Sequence, residues 1–364
     1  MIVITWMGLT QYGARCIGEF VKESNDEVKV VQLRARRFEQ GNLTQLTGCE
    51  IIDVEGDDGR ELTEVVGAMP DVFVLSGWAA PAFVRWAKGV KRLGGKVILG
   101  TDEAFTDKTL KQRLRKLRFL LKFNTWVDKV FVCGEGGRRQ FVDFYGLPSA
   151  KVFTGCYASD PTLFFNGPPL RERAKRFIYV GRFDENKNVL AMCEAFRRVH
   201  ARHGDWELEI CGSGPLTEQI GKFADEVGWS GKVPVSGNGF VLTGFVNNAE
   251  LGDKYRASRC FILGSFSEKW GVVVHEAAAS GCLLLLSKAV GAHYDFARNE
   301  NSALFDPHSV DQFEAGMERI VGMTDQQLET AQRVSVELAR GFSPMVYAKN
   351  LNNVINELRK EEDK

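Results

Sequence analysis

Across 364 residues, 47 Lys and Arg balance 47 Asp and Glu, so no global field draws the chain onto nucleic acid or an anionic surface. A hydrophobic content of 44% with mixed charge excludes an intrinsically disordered chain and suits two α/β domains of ordinary size. The eight cysteines are scattered singly with no C-x-x-C pair, which fits buried thiols in a reducing compartment and excludes a disulfide or zinc framework.

The first residues, Met1-Ile2-Val3-Ile4-Thr5-Trp6, carry no basic leader and no long apolar core, so they read as a first strand rather than a signal peptide. No apolar run approaches the roughly 20 residues that span a bilayer. A cytoplasmic protein is expected, either free or peripheral on the inner face of a membrane. Short apolar runs then alternate with amphipathic segments, the pattern of parallel sheets covered by helices. The predicted strands of the first half are Ile2–Thr5, Val28–Leu33, Glu50–Val54, Val72–Ser76, Lys96–Gly100 and Val130–Cys133. Those of the second half are Phe177–Val180, Leu208–Cys211, Val241–Thr243, Cys260–Leu263 and Leu283–Ser287.

Within the first half, residues 108–122 set Leu110, Leu114, Leu117 and Leu121 at helical spacing among Lys108, Lys111, Arg113, Arg115, Lys116, Arg118 and Lys122. Two readings stand: a basic helix lying on anionic headgroups, or a helix whose leucines pack on the sheet and whose charges stay in water. Between the halves, residues 160–169 combine prolines and a glycine without periodicity, a linker signal. The expected domains are 1–164, completed by a last amphipathic helix within 343–364, and 165–342. That helix sets Leu351, Val354, Ile355 and Leu358 on one side.

Three segments of the second half carry chemistry. A strand ends at Gly181, and Arg182 and Lys187 follow before a helix from about Asn188. Cations at the carboxyl end of a strand, beside the positive end of a helix, suit a diphosphate, although two solvated surface charges are the plainer alternative. Next, Cys211-Gly212-Ser213-Gly214-Pro215 allows a sharp turn and close backbone approach. Thr217 stands where a dinucleotide fingerprint needs its third glycine, which excludes a nicotinamide site. The third segment runs Gly264-Ser265-Phe266-Ser267-Glu268-Lys269-Trp270-Gly271-Val272-Val273-Val274-His275-Glu276-Ala277-Ala278-Ala279-Ser280-Gly281. Its two carboxylates flank a Trp-Gly turn and the free N–H groups of Gly271 and Val272. Together these match a ligand with hydroxyls at both ends and phosphates between them. The five histidines lack ligand spacing, and no D-x-D triplet, nucleophile elbow or P-loop occurs.

With seven residues between Glu268 and Glu276, this stretch resembles the E-x7-E signature of retaining GT-B glycosyltransferases of the large family four. The same family carries G-R-x-x-x-x-K, matched by Gly181, Arg182 and Lys187, and G-x-G-P, matched by Gly212, Gly214 and Pro215. It also carries a strand like Val241-Leu242-Thr243-Gly244-Phe245-Val246 and a later glycine loop, matched by Gly291. The resemblance covers roughly residues 175–340.

What it implies is an α/β chain of the GT-B type. Two Rossmann-like doubly wound domains would face a cleft, with the C-terminal helix crossing back to the N-terminal domain. A UDP- or GDP-sugar would be the donor substrate, with no cofactor and no metal. The sugar would pass with retained configuration to a glycan, lipid-linked or small-molecule acceptor, as in bacterial polysaccharide or glycoconjugate biosynthesis; nucleic acid is not an expected partner. Arg182 and Lys187 would neutralise the leaving diphosphate, Glu268 would hold the transferred sugar, and Glu276 the ribose. Gly181, Gly212, Gly214, Trp270, Gly271 and Val272 would line the donor, with Gly244 and Phe245 by the nucleobase. In the N-terminal domain, Gly8 stands near where members line the diphosphate with a glycine pair, or forms a plain turn. Asp102 replaces a histidine that contacts donor sugar or acceptor, and is otherwise a helix N-cap. The alternatives are a non-catalytic nucleotide-sugar-binding subunit and a GT-B sugar-nucleotide epimerase.

Overall fold

The computed structural model describes residues 1–33, 43–55, 58–104, 110–165, 167–229, 235–237 and 239–361. Residues 108 and 109 of the expected basic helix, 166 of the expected linker and 362–364 of the expected last helix lie outside these. The chain divides into two compact units, Met1–Ala158 with Phe342–Lys364, and Ser159–Gly341.

The first unit is built on β1 (Ile2–Trp6), β2 (Val28–Leu33), β3 (Glu50–Val54), β4 (Val72–Ser76), β5 (Lys96–Thr101), β6 (Lys129–Val132) and β7 (Val152–Thr154). They pair all-parallel in the order β3-β2-β1-β4-β5-β6-β7. Continuous apolar runs such as Ile2-Val3-Ile4 and Val97-Ile98-Leu99 are buried because helices cover both faces of a parallel sheet. The helix Gln11–Glu23 starts on Thr10, whose hydroxyl accepts the Gly13 N–H at 3.3 Å, and Pro81 opens the helix Pro81–Arg92. The last helix, Pro344–Lys360, capped by Ser343, belongs to this unit. It buries Tyr347, Leu351, Val354, Ile355 and Leu358 and packs along Gln11–Glu23. Asn350 donates to the Thr154 carbonyl at 2.9 Å, and the Arg359 guanidinium pairs with Asp26 at 2.8 Å. That pair and its hydrogen bonds hold the Asp26 carboxyl below the usual carboxylate range.

The helix Leu110–Lys122 decides between the two readings of its leucines on one point. Leu110, Leu114, Leu117 and Leu121 do not pack on the sheet: all four are exposed, while Phe119 and Phe123 take the buried face.

The second unit contains β8 (Ala174–Val180), β9 (Glu207–Cys211), β10 (Val235–Gly237), β11 (Phe240–Gly244), β12 (Ser258–Leu263), β13 (Leu283–Ser287) and β14 (Ser302–Phe305). Their order is β10-β11-β9-β8-β12-β13-β14; six strands run parallel and β10 joins the β11 edge antiparallel. The division from the first unit falls six residues before the expected 164, because the proline-rich segment is fastened here. Asp160 caps the short helix Pro161–Phe164, Phe164 meets Tyr255 edge-on at 5.8 Å, and Arg256 donates to the Leu163 carbonyl at 2.6 Å.

The order of this sheet reverses direction at β8: β9 lies on one side and β12 on the other. Loops leaving the carboxyl ends of β8 and β12 therefore flank the crevice where open α/β sheets bind ligands.

Because Leu351 is fully buried in the last helix, Leu351→Ala should lower unfolding free energy by about 2–5 kcal/mol. Met345→Ala, on the exposed side of the same helix, should change it by less than about 0.5 kcal/mol. Urea unfolding of the two variants checks this; equal effects would mean the helix is not anchored as described.

Candidate functional site

The exit of β8 is shaped before any ligand arrives. Asp184 accepts the Lys187 N–H at 3.2 Å, closing a single turn over Glu185–Lys187. Asn188 then takes a left-handed conformation, φ 57°, and its amide donates to the Pro307 carbonyl at 2.8 Å. The helix Val189–His200 starts there. Lys187 thus stands on a pinned turn ahead of a helix N-terminus. Arg182 remains half-exposed, 3.6 Å from the Asp184 carboxylate.

The glycines of the β9 exit serve a close backbone crossing. A Cβ on Gly212 would lie 1.9 Å from the Gly181 carbonyl oxygen, and one on Gly214 would lie 2.4 Å from that of Phe183. Through this approach Gly181 N donates to Cys211 O at 3.1 Å, Phe183 N to Ser213 O at 3.0 Å, and Gly212 N to Gly244 O at 2.7 Å. Three strand exits are stitched side by side, with Gly181, Gly212 and Gly244 at the seams. Gly244 has φ 79°, and the next residue, Phe245, is 79% exposed, an uncovered aromatic at this edge of the sheet.

The β12 exit is tied to the β8 exit. Phe266 N donates to the Asn186 carbonyl and the Asn186 amide donates to the Ser267 carbonyl, both at 2.8 Å. This brings Glu268 onto Lys187, whose ammonium it binds directly, each side chain one-fifth exposed. Glu268 is also held through its backbone: its N–H donates to Ala289 O at 3.1 Å and its carbonyl accepts the Gly291 N–H at 2.9 Å. Trp270 is an anchor: buried, it donates its indole N–H to Asp295 at 3.1 Å and meets Phe296 edge-on at 5.6 Å. Gly271, φ 89°, turns the chain into the helix Val272–Ala279, and a Cβ there would crowd Glu268 Cγ at 3.1 Å. The first N–H groups of that helix, Val272 and Val273, have no intrahelical carbonyl to meet.

Further along the same helix, Glu276 is buried and accepts the Tyr255 hydroxyl at 3.2 Å. Burial pushes its carboxyl up to about 7, an effect the Tyr255 hydrogen bond partly offsets. Its neighbour His275 is structural: Nδ1 accepts the Ser159 N–H and Nε2 lies on the Ala339 carbonyl, each at 3.0 Å. Burial lowers that imidazole to about 4, so it stays neutral.

In the first unit Gly8 follows β1 with φ 82°, a backbone conformation that explains a glycine there by itself. Asp102 follows β5 directly and is half-buried, within electrostatic range of Cys133 and Tyr157. Glu103 and Ala104 beyond it are not helical, so Asp102 is not a helix N-cap.

The second unit thus brings Lys187 and Glu268 into contact and sets Gly181, Gly212 and Gly244 along one seam. Four contributors were not singled out from the sequence: Asn186 and Asp184, which pin the β8 exit, Tyr255, which meets Glu276, and Asp295, which fixes Trp270. Asp184 and Asn186 sit inside the motif that ends on Lys187 and were within reach; Tyr255 and Asp295 lie in segments without any motif.

Comparison with known proteins follows the same division. Residues 162–335, just under half of the chain, match the family model of glycosyl transferases, group 1. An uncharacterized glycosyltransferase of Methanocaldococcus jannaschii is 26% identical over 153 residues, 42% of this chain and 37% of its own length. The lipopolysaccharide 1,6-galactosyltransferase of Salmonella typhimurium is 24% identical over 222 residues, 58% of this chain and 59% of that protein. The matched stretches span 33–59% of the curated relatives' own lengths. Among solved structures, Anabaena HepE in complex with UDP and glucose superposes with a TM-score of 0.72 at 13% identity, covering 98% of this chain and 99% of that one. Likeness at such identity speaks for the fold. The chain has the GT-B fold, and its second unit matches the group 1 glycosyl transferases.

Proposed function

We propose that this chain is a retaining, metal-independent glycosyltransferase whose second unit binds a nucleoside-diphosphate sugar, UDP- or GDP-linked. The observation that carries the reading is the Lys187–Glu268 pair at the sheet's switch point, beside the N-terminus of the helix Val272–Ala279. An ammonium has three donors, so Lys187 can keep Glu268 and still meet a phosphate oxygen. Arg182, half-exposed on the same loop, supplies a second fixed cation, and the N–H groups of Val272 and Val273 a third source of positive potential. Glu268 then holds hydroxyls of the sugar, Glu276 accepts those of the ribose, and Phe245 lies by the base. The UDP and glucose bound by HepE, a protein of the same fold, support this choice of donor class.

In the reaction the bond between the anomeric carbon and the leaving phosphate oxygen breaks, and negative charge grows on that oxygen. Arg182 and Lys187 are in place before the charge develops, so they stabilise the transition state more than the ground state. The acceptor hydroxyl adds from the face the diphosphate leaves, and its proton passes to the departing phosphate. The acceptor is a glycan, a lipid-linked sugar or a small molecule of the kind used in polysaccharide or glycoconjugate assembly.

The test is product analysis with UDP- and GDP-sugars, with and without an acceptor pool, in the presence of EDTA. Transfer that needs acceptor, survives chelation and retains the anomeric configuration is expected; turnover of donor alone to an isomer would indicate an epimerase instead. Lys187→Ala should lower kcat on the order of 10²–10³-fold, the effect of deleting one preorganised transition-state donor. A wild-type rate in that variant would misplace the site.

Glu276 adds a proton linkage to donor binding. Folded Glu276 keeps its proton to about pH 7, against 4.5 for the ordinary carboxyl. The stability this confers is full below about 4.5 and is lost as pH rises through about 7. Ribose hydroxyls donate to the ionised form, so nucleotide-sugar binding near pH 6 should release a proton, and binding above pH 8 should not. Titration calorimetry in buffers of different ionisation enthalpy measures it. Glu276→Gln should abolish the release; an unchanged release would assign the proton elsewhere.

A further inference from the structure

The helix Leu110–Lys122 of the first unit turns its apolar stripe away from the protein. Leu110, Leu114, Leu117 and Leu121 recur at spacings of four, three and four, which at 3.6 residues per turn confines them to about 60° of arc. They are 75%, 59%, 53% and 70% exposed. The packed face lies roughly opposite: Phe119 and Phe123 are buried and meet Trp78 at ring distances of 5.6 and 5.5 Å, and Phe119 meets Phe141 and Tyr145. The helix is fastened by its other face, through Phe119 and Phe123 with Leu120 beside them, so the four leucines form an aligned apolar surface that folding leaves in water.

Charge decides what covers it. The helix holds no Asp or Glu. Arg115 is engaged with Glu103 at 3.1 Å, and Lys116 donates to the Phe144 carbonyl at 2.7 Å. Arg113, Arg118 and Lys122 are exposed and have no carboxylate partner among the described residues. A second copy of the helix would set like charge against like charge along the stripe, which disfavours a coiled-coil pairing. An anionic lipid surface satisfies both halves, taking leucines into the acyl boundary while the arginines meet phosphates. Beside the helix, an open hollow of about 320 Å³ is walled by Trp78, Phe119 and Phe123 with Arg115 and Arg118, which suits one anionic headgroup.

We propose that Leu110–Lys122 is a docking element for anionic membrane, with Leu110, Leu114, Leu117 and Leu121 inserted and Arg113, Arg118 and Lys122 on the headgroups. This stands independently of the donor site, because it concerns only the first unit.

The full chain is sedimented with vesicles of phosphatidylcholine containing phosphatidylglycerol, and with vesicles of phosphatidylcholine alone. Binding to the first at low salt, little to the second, and loss as salt rises are expected. Arg113→Glu with Arg118→Glu should weaken binding on the order of 100-fold. Leu114→Gln with Leu117→Gln should weaken it on the order of tenfold, and the binding that remains should still fall as salt rises. All four side chains are exposed, so both variants should melt like the parent. The proposal is overturned if the parent stays in solution with anionic vesicles at low salt, or if both variants bind as the parent does. It is equally overturned if velocity sedimentation finds a dimer that the leucine variant dissolves, since a second copy would then cover the stripe.

Discussion

The contact on which the candidate site depends is a backbone crossing with no room for a side chain. Gly212 passes so near the Gly181 carbonyl that any Cβ would overlap it at 1.9 Å. This approach lets the β8 and β9 exits exchange hydrogen bonds through Gly181, Cys211, Phe183 and Ser213. Asp184 and Asn186 extend the stitching to the turn that bears Lys187 and to the loop that bears Glu268. Electrostatics then acts on a scaffold already set by sterics, which is the condition for preorganisation.

The two carboxylates of the E-x7-E stretch have different physics, one in the loop before the helix Val272–Ala279 and the other a turn inside it. Glu268 is balanced by an ammonium and stands at the mouth of the helix. Glu276 is buried, has a phenol for company and holds its proton to about neutral pH. One is paired with a cation before any ligand binds; the other becomes ionised when hydroxyl donors reach it. The histidine between them is neutral and structural, so a titratable residue inside a motif is no guide to a role in the chemistry.

Much of this was legible in the sequence where a pattern had one physical cause. Eleven expected strands appear because continuous apolar runs bounded by turn residues have no other place than a doubly covered sheet. Strands β7, β10 and β14 escaped because three or four residues carry too little pattern to be told from a loop. The site's ionic partners were legible through motif spacing, but the service each residue performs was not. Trp270, Gly212 and Gly214 sit within motifs expected to line the donor, and in the folded chain they also build the loops that carry it. The leucines of residues 110–122 show the limit most clearly. Periodicity defines a stripe, but it carries no sign for inward or outward. Phe119 and Phe123, with more area each, took the core and turned the stripe out.

The most direct measurement is a crystal structure of the chain with an intact UDP- or GDP-sugar bound. The expected result places the diphosphate within about 3.2 Å of Lys187 Nζ, the Arg182 guanidinium and the Val272 N–H, with ribose hydroxyls on Glu276 and the sugar on Glu268. A donor seated elsewhere, or one whose phosphates meet neither Arg182 nor Lys187, would contradict the account.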